Sequence, residues 1–360
     1  MKKTTRMSAL ALVTAAGLTL TACGGSTGPA TDSGSGGSGG AAAGGDCASE
    51  EVFCVGLVTD MGNVDDKSFN QSAWEGAQAA AQKIEGGQTK YIETTDTKDY
   101  ASNLKQFTDA GYDVVITVGF LMAEATTAAA QSAPNTKFIA VDQPQETTVA
   151  NVSGLVFPED KAGYAAGYLA GLLTKTDKLG QVLGMKIPPV EKFALGFQAG
   201  AKASNPKASV ATVYHPAGDN AFSDPVWGAT TARQQLGQDV DVVFGAGGKT
   251  GNGALGEVAK ASGAGTSVFC IGVDTDQWET VPEARPCLVT SATKLITQGT
   301  TELVNQAHDG SFKGGDFVGE AGLAPYHDLE SAVPADVRTK VRQIVEGLKN
   351  DSVKTGVSLG

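Results

Sequence analysis

The sequence predicts an α/β fold: two Rossmann-like lobes, each built on a parallel sheet, joined by a hinge. Three observations predict it. Apolar, β-rich runs recur at regular intervals, helical patterns lie between them, and residues 46–360 are too many for one small core. The runs are Val52–Val58, Lys90–Glu93, Val114–Val118 and Phe138–Val141, then Gln181–Gly184, Val210–Tyr214, Val240–Phe244 and Val268–Val273. The helical patterns include Ser68–Lys83, Tyr100–Ala110, Met122–Ser132, Lys161–Leu173, Glu191–Ala203, Asp224–Leu236 and Asn252–Ala261. Alternation of this kind implies parallel strands joined by right-handed crossovers. Four strands, a connection near Val152–Pro158 and four more strands divide the chain into lobe 1 (46–157) and lobe 2 (158–273).

Residues 1–22 have a short basic start (Lys2, Lys3, Arg6), an apolar stretch from about Ala9 to Leu20, and then Leu20-Thr-Ala-Cys23. The stretch is too short and wrongly flanked for a spanning helix and reads as a secretory signal. Leu-Thr-Ala-Cys followed by Gly24 looks like a bacterial lipobox, in which Cys23 is diacylated and becomes the mature N-terminus. Two acyl chains hold a protein stably to a membrane, here at the extracytoplasmic face of the bacterial cell membrane. Residues 23–45 are Gly/Ser-rich and lack apolar periodicity, as a flexible tether does. Loss of Lys2, Lys3 and Arg6 takes the formal charge from −12 to −15. An acidic mature chain argues against nucleic acid and against a polybasic membrane contact.

Cys47, Cys54, Cys270 and Cys287 remain. An even number outside the cytoplasm suggests disulfides, with three connectivities possible. Cys47–Cys54 with Cys270–Cys287 is the favoured pairing. The first bridge would pin the incoming arm to the opening strand, and the second would join two strands expected to be neighbours near the hinge. The spacings do not resemble a zinc site and the histidines (His215, His308, His327) are scattered, so neither a metal nor another cofactor is expected.

The segment Val55-Gly-Leu-Val-Thr-Asp-Met-Gly-Asn-Val-Asp-Asp-Lys-Ser-Phe-Asn-Gln-Ser-Ala-Trp-Glu-Gly76 is the most informative in the chain. A buried strand ends in an acid-rich turn, and Ser68 opens a helix carrying Phe69, Ala73, Trp74 and Ala77. In an open parallel sheet, the loop after a strand's carboxyl end borders the crevice where ligands sit. This loop offers a carboxylate (Asp60), an aromatic face (Phe69) and an amide (Asn70). Asp142 and Asp274 likewise end the Phe138–Val141 and Val268–Val273 strands. A lone Asp after a strand is often a turn former, but several on one edge are harder to dismiss. Gly245-Ala-Gly-Gly-Lys-Thr-Gly-Asn-Gly253 also lies between strand and helix, but a phosphate loop needs a glycine where Val243 stands. Gly247 and Gly248 are better read as letting backbone amides approach a neutral ligand.

Val55–Gly76 closely resembles the start of the basic membrane protein family, the purine-nucleoside receptor lipoproteins that deliver nucleosides to ABC importers. Val141-Asp142, Gly245–Gly253, Ile271-Gly-Val-Asp-Thr-Asp-Gln277 and Thr290-Ser-Ala-Thr-Lys294 support the resemblance, which runs from Val52 to the C-terminal end. It implies a type I periplasmic binding protein without catalytic residues, whose cleft takes a purine nucleoside (adenosine, guanosine or inosine) and passes it to an ABC permease. It also implies that 274–325 return to lobe 1, through Leu288–Thr290 and the helix Leu295–Ala307. Residues 326–360 are expected to pack on lobe 2.

Such a ligand wants aromatic faces for its base, where stacking is worth about 1–3 kcal/mol, and carboxylates to accept ribose hydroxyl protons. By resemblance Phe69 is one slice of the base sandwich and Asn70 a base-edge or ribose contact. Asp60, Asp142 and Asp274 match contact positions, with Asp274 the first choice for the ribose. Lys294 reaches the ligand or its carboxylate partners, and Gly248 approaches it. Phe244 is the candidate for the second slice, with Phe222 and Trp227 as competitors. Lys249 departs from the family's usual Gly-Gly-Thr-Gly. Ordinary roles compete with these: helix packing for Phe69, an Asx turn or N-cap for Asp60, a helix-start lysine for Lys294.

An enzyme acting on the same ligand is the alternative class. Calcium-dependent nucleoside hydrolases begin Asp-x-Asp-x-x-x-Asp-Asp, and aligning Asp65-Asp66 with the final pair puts Thr59 and Met61 where the first two acids belong. Asp65 and Asp66 instead shape the loop and bring negative charge to the helix N-terminus. Asp276 is read as a loop acid. No nucleophile–base pair is recognisable. A sugar or autoinducer receptor would share the fold, and fold alone does not exclude it.

Overall fold

A computed structural model describes residues 46–359; the signal segment, Cys23 and the tether lie outside them. Lobe 1 contains β1 (Phe53–Thr59), β2 (Gly87–Ile92), β3 (Val114–Val118), β4 (Lys137–Val141) and β5 (Val152–Val156). Lobe 2 contains β6 (Lys178–Leu183), β7 (Ser209–Tyr214), β8 (Val242–Ala246), β9 (Phe269–Asp274) and β10 (Leu288–Lys294). Two short strands complete the sheets, β11 (Gly315–Val318) in lobe 1 and β12 (Ala321–Leu323) in lobe 2. The strand orders are β11-β5-β4-β3-β1-β2 and β12-β10-β9-β8-β6-β7. Every pairing is parallel except β10 with β12.

Helices cover both faces of each sheet, which is why β1, β3, β4 and β8 read as unbroken Val/Ile-rich runs and are buried along their length. The edge strand β2, Gly-Gln-Thr-Lys-Tyr-Ile, is polar and half-exposed. In lobe 1 the layers are α1 (Phe69–Ala81), α2 (Tyr100–Asp109) and α3 (Ala123–Ser132), joined late in the chain by α9 (Ile296–Asp309). Lobe 2 has α4 (Glu159–Leu173), α5 (Pro188–Ser204), α6 (Pro225–Leu236), α7 (Gly248–Val258), the short α8 (Gln277–Thr280) and α10 (Ala335–Lys349). Helices α4 and α5 approach so closely that a Cβ at Gly167 would run into the Phe197 carbonyl, and one at Gly200 into the Tyr164 carbonyl.

Two expectations about the domains need correction. Val152–Val156 is not a linker: it pairs with β4 and β11 as an inner strand, leaving Phe157-Pro158 as the first hinge crossing. Its Ser-Gly interior weakens the β signal, and a side chain at Gly154 would strike the Gln143 carbonyl. Secondly, 274–325 do not all return to lobe 1. The short α8 connection and the Cys270–Cys287 bridge keep β10 beside β9, so the chain recrosses only at Leu295, into α9 and β11. A third crossing, Gly319-Glu320, leads back to β12. Residues 326–359 lie on lobe 2, where Leu348 of α10 packs with Tyr164 and Ala165 of α4.

Both favoured disulfides are formed, Cys47–Cys54 and Cys270–Cys287. The second closes a loop with ends 17 residues apart, for which unfolded-chain entropy alone suggests about 3 kcal/mol. Replacing Cys270 and Cys287 together by alanine should lower the urea unfolding free energy by at least that amount, and an unchanged midpoint would show that the bridge adds nothing.

Candidate functional site

Register aligns the strand ends. Thr59 pairs with Val118 and Val118 with Val141, so Asp60, Gly119 and Asp142 follow one another along one edge of the lobe 1 sheet. In lobe 2, Leu183 pairs with Ala246 and Asp274 with Thr293, which brings Gly247, Asp274 and Lys294 to the facing edge. The two edges meet across the hinge in a narrow slot. The slot is small, with a volume of about 60 Å³. Asp60, Phe69, Asn70, Phe120 and Asp142 line it from lobe 1; Phe193, Phe222, Gly248, Asp274 and Lys294 line it from lobe 2. A larger groove of about 780 Å³ between α2 and α3 faces solvent, and none of these residues reaches it.

Lys294, the last residue of β10, is the electrostatic centre. Its Nζ lies 2.6 Å from Asp142 Oδ2, 3.7 Å from Asp274 Oδ1 and 4.0 Å from Glu159 Oε1, with its side chain 2% exposed. Burial works against the charge, but Asp142, Asp274 and Glu159 together outweigh it and hold the ammonium above its ordinary pKa. The ammonium also sits 4.6 Å from the centre of the Phe69 ring. Glu159, at the first turn of α4, is pushed up to about 7 by burial, with the charge of Asp142 adding to the effect. Asp274 is raised by burial as well, although Lys294 and a 2.8 Å hydrogen bond from Ser68 Oγ oppose the shift.

Asp142 and Asp274 hold left-handed backbone conformations, φ 60° and 65°, which Asp tolerates better than most residues. Asp60 Oδ1 accepts the Met61 N–H at 2.5 Å, and its carboxylate presses on Gly119, where φ is 116° and any Cβ would collide with it. Burial, with the charge of Asp142 adding to it, raises Asp60 to about 7. Asp66 caps α1 by accepting from the N–H groups of Ser68, Asn70 and Gln71. That cap fixes the helix start carrying Phe69 and Asn70. Asn70 Nδ2 donates to the Met61 carbonyl at 3.1 Å. Two acceptors in the slot, Asn70 Oδ1 and Asp142 Oδ1, are buried and have no hydrogen-bond partner.

Phe244 does not line the slot. Strand β8 runs two residues further than the sequence suggests, to Ala246, so Phe244 is an interior position on the helix-covered face. It is fully buried, stacked on Phe197 with centroids 5.3 Å apart and packed against Phe193 at 6.1 Å. Its competitor Phe222 does line the slot; Trp227 instead packs edge-on against His215. Phe193 and Glu159 went unnoticed in the sequence because each lies in the opening turns of a lobe 2 helix, where a Phe reads as core and a Glu as a favourable first-turn charge. Helix α7 begins at Gly248 rather than Asn252. Asp276 is more than a loop acid: it caps α8 and meets His327 Nε2 at 2.7 Å.

A family model described as ABC transporter substrate-binding protein, PnrA-like, matches residues 53–319. The chain belongs to this family. It is 34% identical over 366 residues to the CD4+ T-cell-stimulating antigen of Listeria innocua, covering 96% of this chain and 98% of that one. With the ABC transporter nucleoside-binding protein BmpA of Lactococcus lactis it shares 32% over 276 residues, 73% of this chain and 77% of the relative. Basic membrane protein A of Borreliella burgdorferi is 31% identical over 273 residues, 74% of this chain and 76% of the relative. A solved ABC transporter solute-binding protein from Aeropyrum pernix K1 superimposes with a TM-score of 0.75 at 24% identity, covering 84% of this chain and 92% of that one. The fold is therefore that of type I periplasmic binding proteins, and the chain is an extracytoplasmic solute-binding protein of an ABC transporter. No helix among the described residues is long and apolar enough to cross a membrane.

The raised Asp60 and Glu159 have a consequence for stability. In the unfolded chain they ionise near pH 4, in the folded chain near 7, so the folded state binds more protons between those values. Their contribution is fully present below about pH 4 and is lost as pH rises through 7. The melting temperature of the ligand-free protein should fall from pH 5 to pH 8, and Asp60→Asn should flatten the fall; an equally steep decline in that variant would mean Asp60 ionises normally.

Proposed function

We propose that the slot binds a purine nucleoside and that the protein, anchored through a diacylated Cys23, presents it to an ABC permease without altering it. Family membership supplies the transport role. What carries the ligand reading is the pair of unpartnered buried acceptors, Asn70 Oδ1 and Asp142 Oδ1, in a slot that Phe69 also lines. A neutral solute with a flat ring and several N–H or O–H donors meets both needs. Phe69 supplies one face for the base, and lobe 2 supplies the other through Phe193 and Phe222. Asp274 and Asp142, already oriented by Lys294, accept ribose hydroxyls, while the Gly247-Gly248 backbone leaves room for close approach. The nucleoside-binding relative from Lactococcus lactis favours the same class. Against a hydrolase, Asp60, Asp65 and Asp66 have separate partners, Met61 N, Lys249 Nζ and the α1 N-terminus, and do not converge on one point.

Adenosine, guanosine or inosine should raise the melting temperature and be recovered intact by chromatography. At 100 times the dissociation constant the gain is about 2.7 kcal/mol. A shift with a hexose but with no nucleoside would overturn the assignment, and release of free base would move the protein to the hydrolases. Phe69→Ala and Phe222→Ala should each weaken all purine nucleosides by about ten- to a hundred-fold. Phe244→Ala should instead cost about 3–5 kcal/mol of folding stability.

The ribose role of Asp274 has its own check. Asp274→Asn keeps one acceptor oxygen and Asp274→Ala none, and hydrogen bonds to charged groups are worth about 1.5–3 kcal/mol. By calorimetry, adenosine binding should weaken more in the alanine than in the asparagine variant, whereas 2′,3′-dideoxyadenosine should respond much less. Equal losses for the two ligands would make Asp274 a structural element and pass the ribose to Asp60 or Asp142.

A further inference from the structure

The loop that follows β1 is gripped from both sides of the cleft mouth. On lobe 1, Glu93 accepts from Val64 N at 2.7 Å and from Asn63 Nδ2 at 3.2 Å. From lobe 2, Lys249 Nζ reaches Asp65 Oδ1 at 2.7 Å and Asn63 Oδ1 at 3.1 Å. One turn further along α7, Asn252 Nδ2 donates to the Asp66 carbonyl at 2.8 Å. Thr280 Oγ1 of α8 donates to the Lys67 carbonyl at 2.7 Å, with Lys67 in the left-handed region at φ 62°. Gln277 Nε2 bonds Asn252 Oδ1 at 2.8 Å, so α7 and α8 close on the loop as one jaw. Neither Lys249 nor Asp65 nor Asn63 lines the slot.

We propose that Lys249 is a positioning residue that sets how long a solute stays: by pairing with Asp65 and Asn63 across the cleft mouth, it holds the lobes shut without touching what they enclose. The residence part rests on the nucleoside reading; the closure part does not. Contacts between lobes exist only when the lobes meet, so they favour the closed state by their whole strength and the open state not at all. Lys249 is the one cation in this jaw that reaches lobe 1 among the described residues, and its pair with Asp65 lowers the pKa of that carboxyl through the hydrogen bond and its charge. An ion pair this exposed changes an equilibrium by roughly two- to five-fold. The change falls on dissociation, because the encounter with solute precedes closure.

The test measures adenosine dissociation by stopped flow, and lobe separation by energy transfer between dyes at the exposed positions Glu85→Cys and Lys207→Cys, in the full chain. Lys249→Ala should dissociate adenosine two- to five-fold faster with an unchanged association rate. Salt at 0.5 M, on the order of a few-ångström screening length, should speed release from the parent and leave the variant alone. Lys249→Glu and Asp65→Lys should each open the cleft, and the two combined should close it again, a rescue that a purely structural role would not give. Unchanged dissociation in Lys249→Ala, or a combined variant no better than its parents, overturns the proposal. If the parent binds no adenosine, the nucleoside reading fails, and the dyes alone decide. A more closed parent than Lys249→Ala, restored by the charge swap, sustains the closure role; identical distributions refute it.

Discussion

One buried ammonium, that of Lys294, holds the two lobes in register. Bringing such an ion out of water costs several kcal/mol even after relaxation, and one carboxylate some 4 Å away returns about 4 kcal/mol at the effective dielectric of a protein interior. A single partner would leave the balance near zero. Asp142 from lobe 1 and Asp274 and Glu159 from lobe 2 together tip it toward a charged lysine, and the shared cation ties a strand end of one sheet to a strand end of the other. Burial raises Glu159 and Asp274, and the charge of Asp142 adds to both shifts.

The hinge is built around that ion. Glu159 opens α4 directly after the first crossing, and Lys294 closes β10 directly before the second. The third crossing is stitched to both, since Gly319 N donates to the Val156 carbonyl and Leu295 N donates to the Glu320 carbonyl. A side chain at Gly319 would strike the Phe157 ring, so the three segments lie as close as backbone allows. A solute that engages Asp142 and Asp274 therefore engages the partners of the residue that ties the two sheets together. For such a solute, contact with Asp142 or Asp274 would bear on lobe position through one side chain, Lys294, with no longer relay needed.

Much of this was legible because parallel α/β sheets place function at strand ends, and strand ends show in sequence as an apolar run stopped by a polar residue. Asp60, Asp142 and Asp274 each stop such a run, and register brings them to facing edges. The same rule misplaced Phe244, because β8 continues through Gly245 and Ala246, small residues that look like a turn but pair with Val182 and Leu183. A two-residue error in a strand end exchanges cleft for core. Val152–Val156 was missed as a strand for a related reason: Gly154 is small because backbone crowds it, and the same smallness resembles a linker. Phe193 and Glu159 carry no local signal that separates a site role from an ordinary helix start; only the tertiary fold brings Phe193 to the slot and Glu159 to Lys294.

The charge balance of the slot narrows what fits it. Asp142, Glu159 and Asp274 surround one ammonium, Asp60 lies on the same strand-end edge as Asp142, and burial pushes Asp60 and Glu159 up to about 7. A phosphate brought into the same space would add negative charge where the protein has difficulty holding its own, and the glycine loop after β8 offers no free cation to meet it, because Lys249 is turned outward to Asp65. A cationic solute would relieve the surplus but would compete with Lys294 for Asp142 and loosen the interlobe tie. A neutral solute rich in hydroxyl donors relieves it differently, by donating protons to ionised acceptors while leaving Lys294 in place. On the proposed reading, the acids that burial makes costly to ionise favour an uncharged, hydroxyl-bearing ligand.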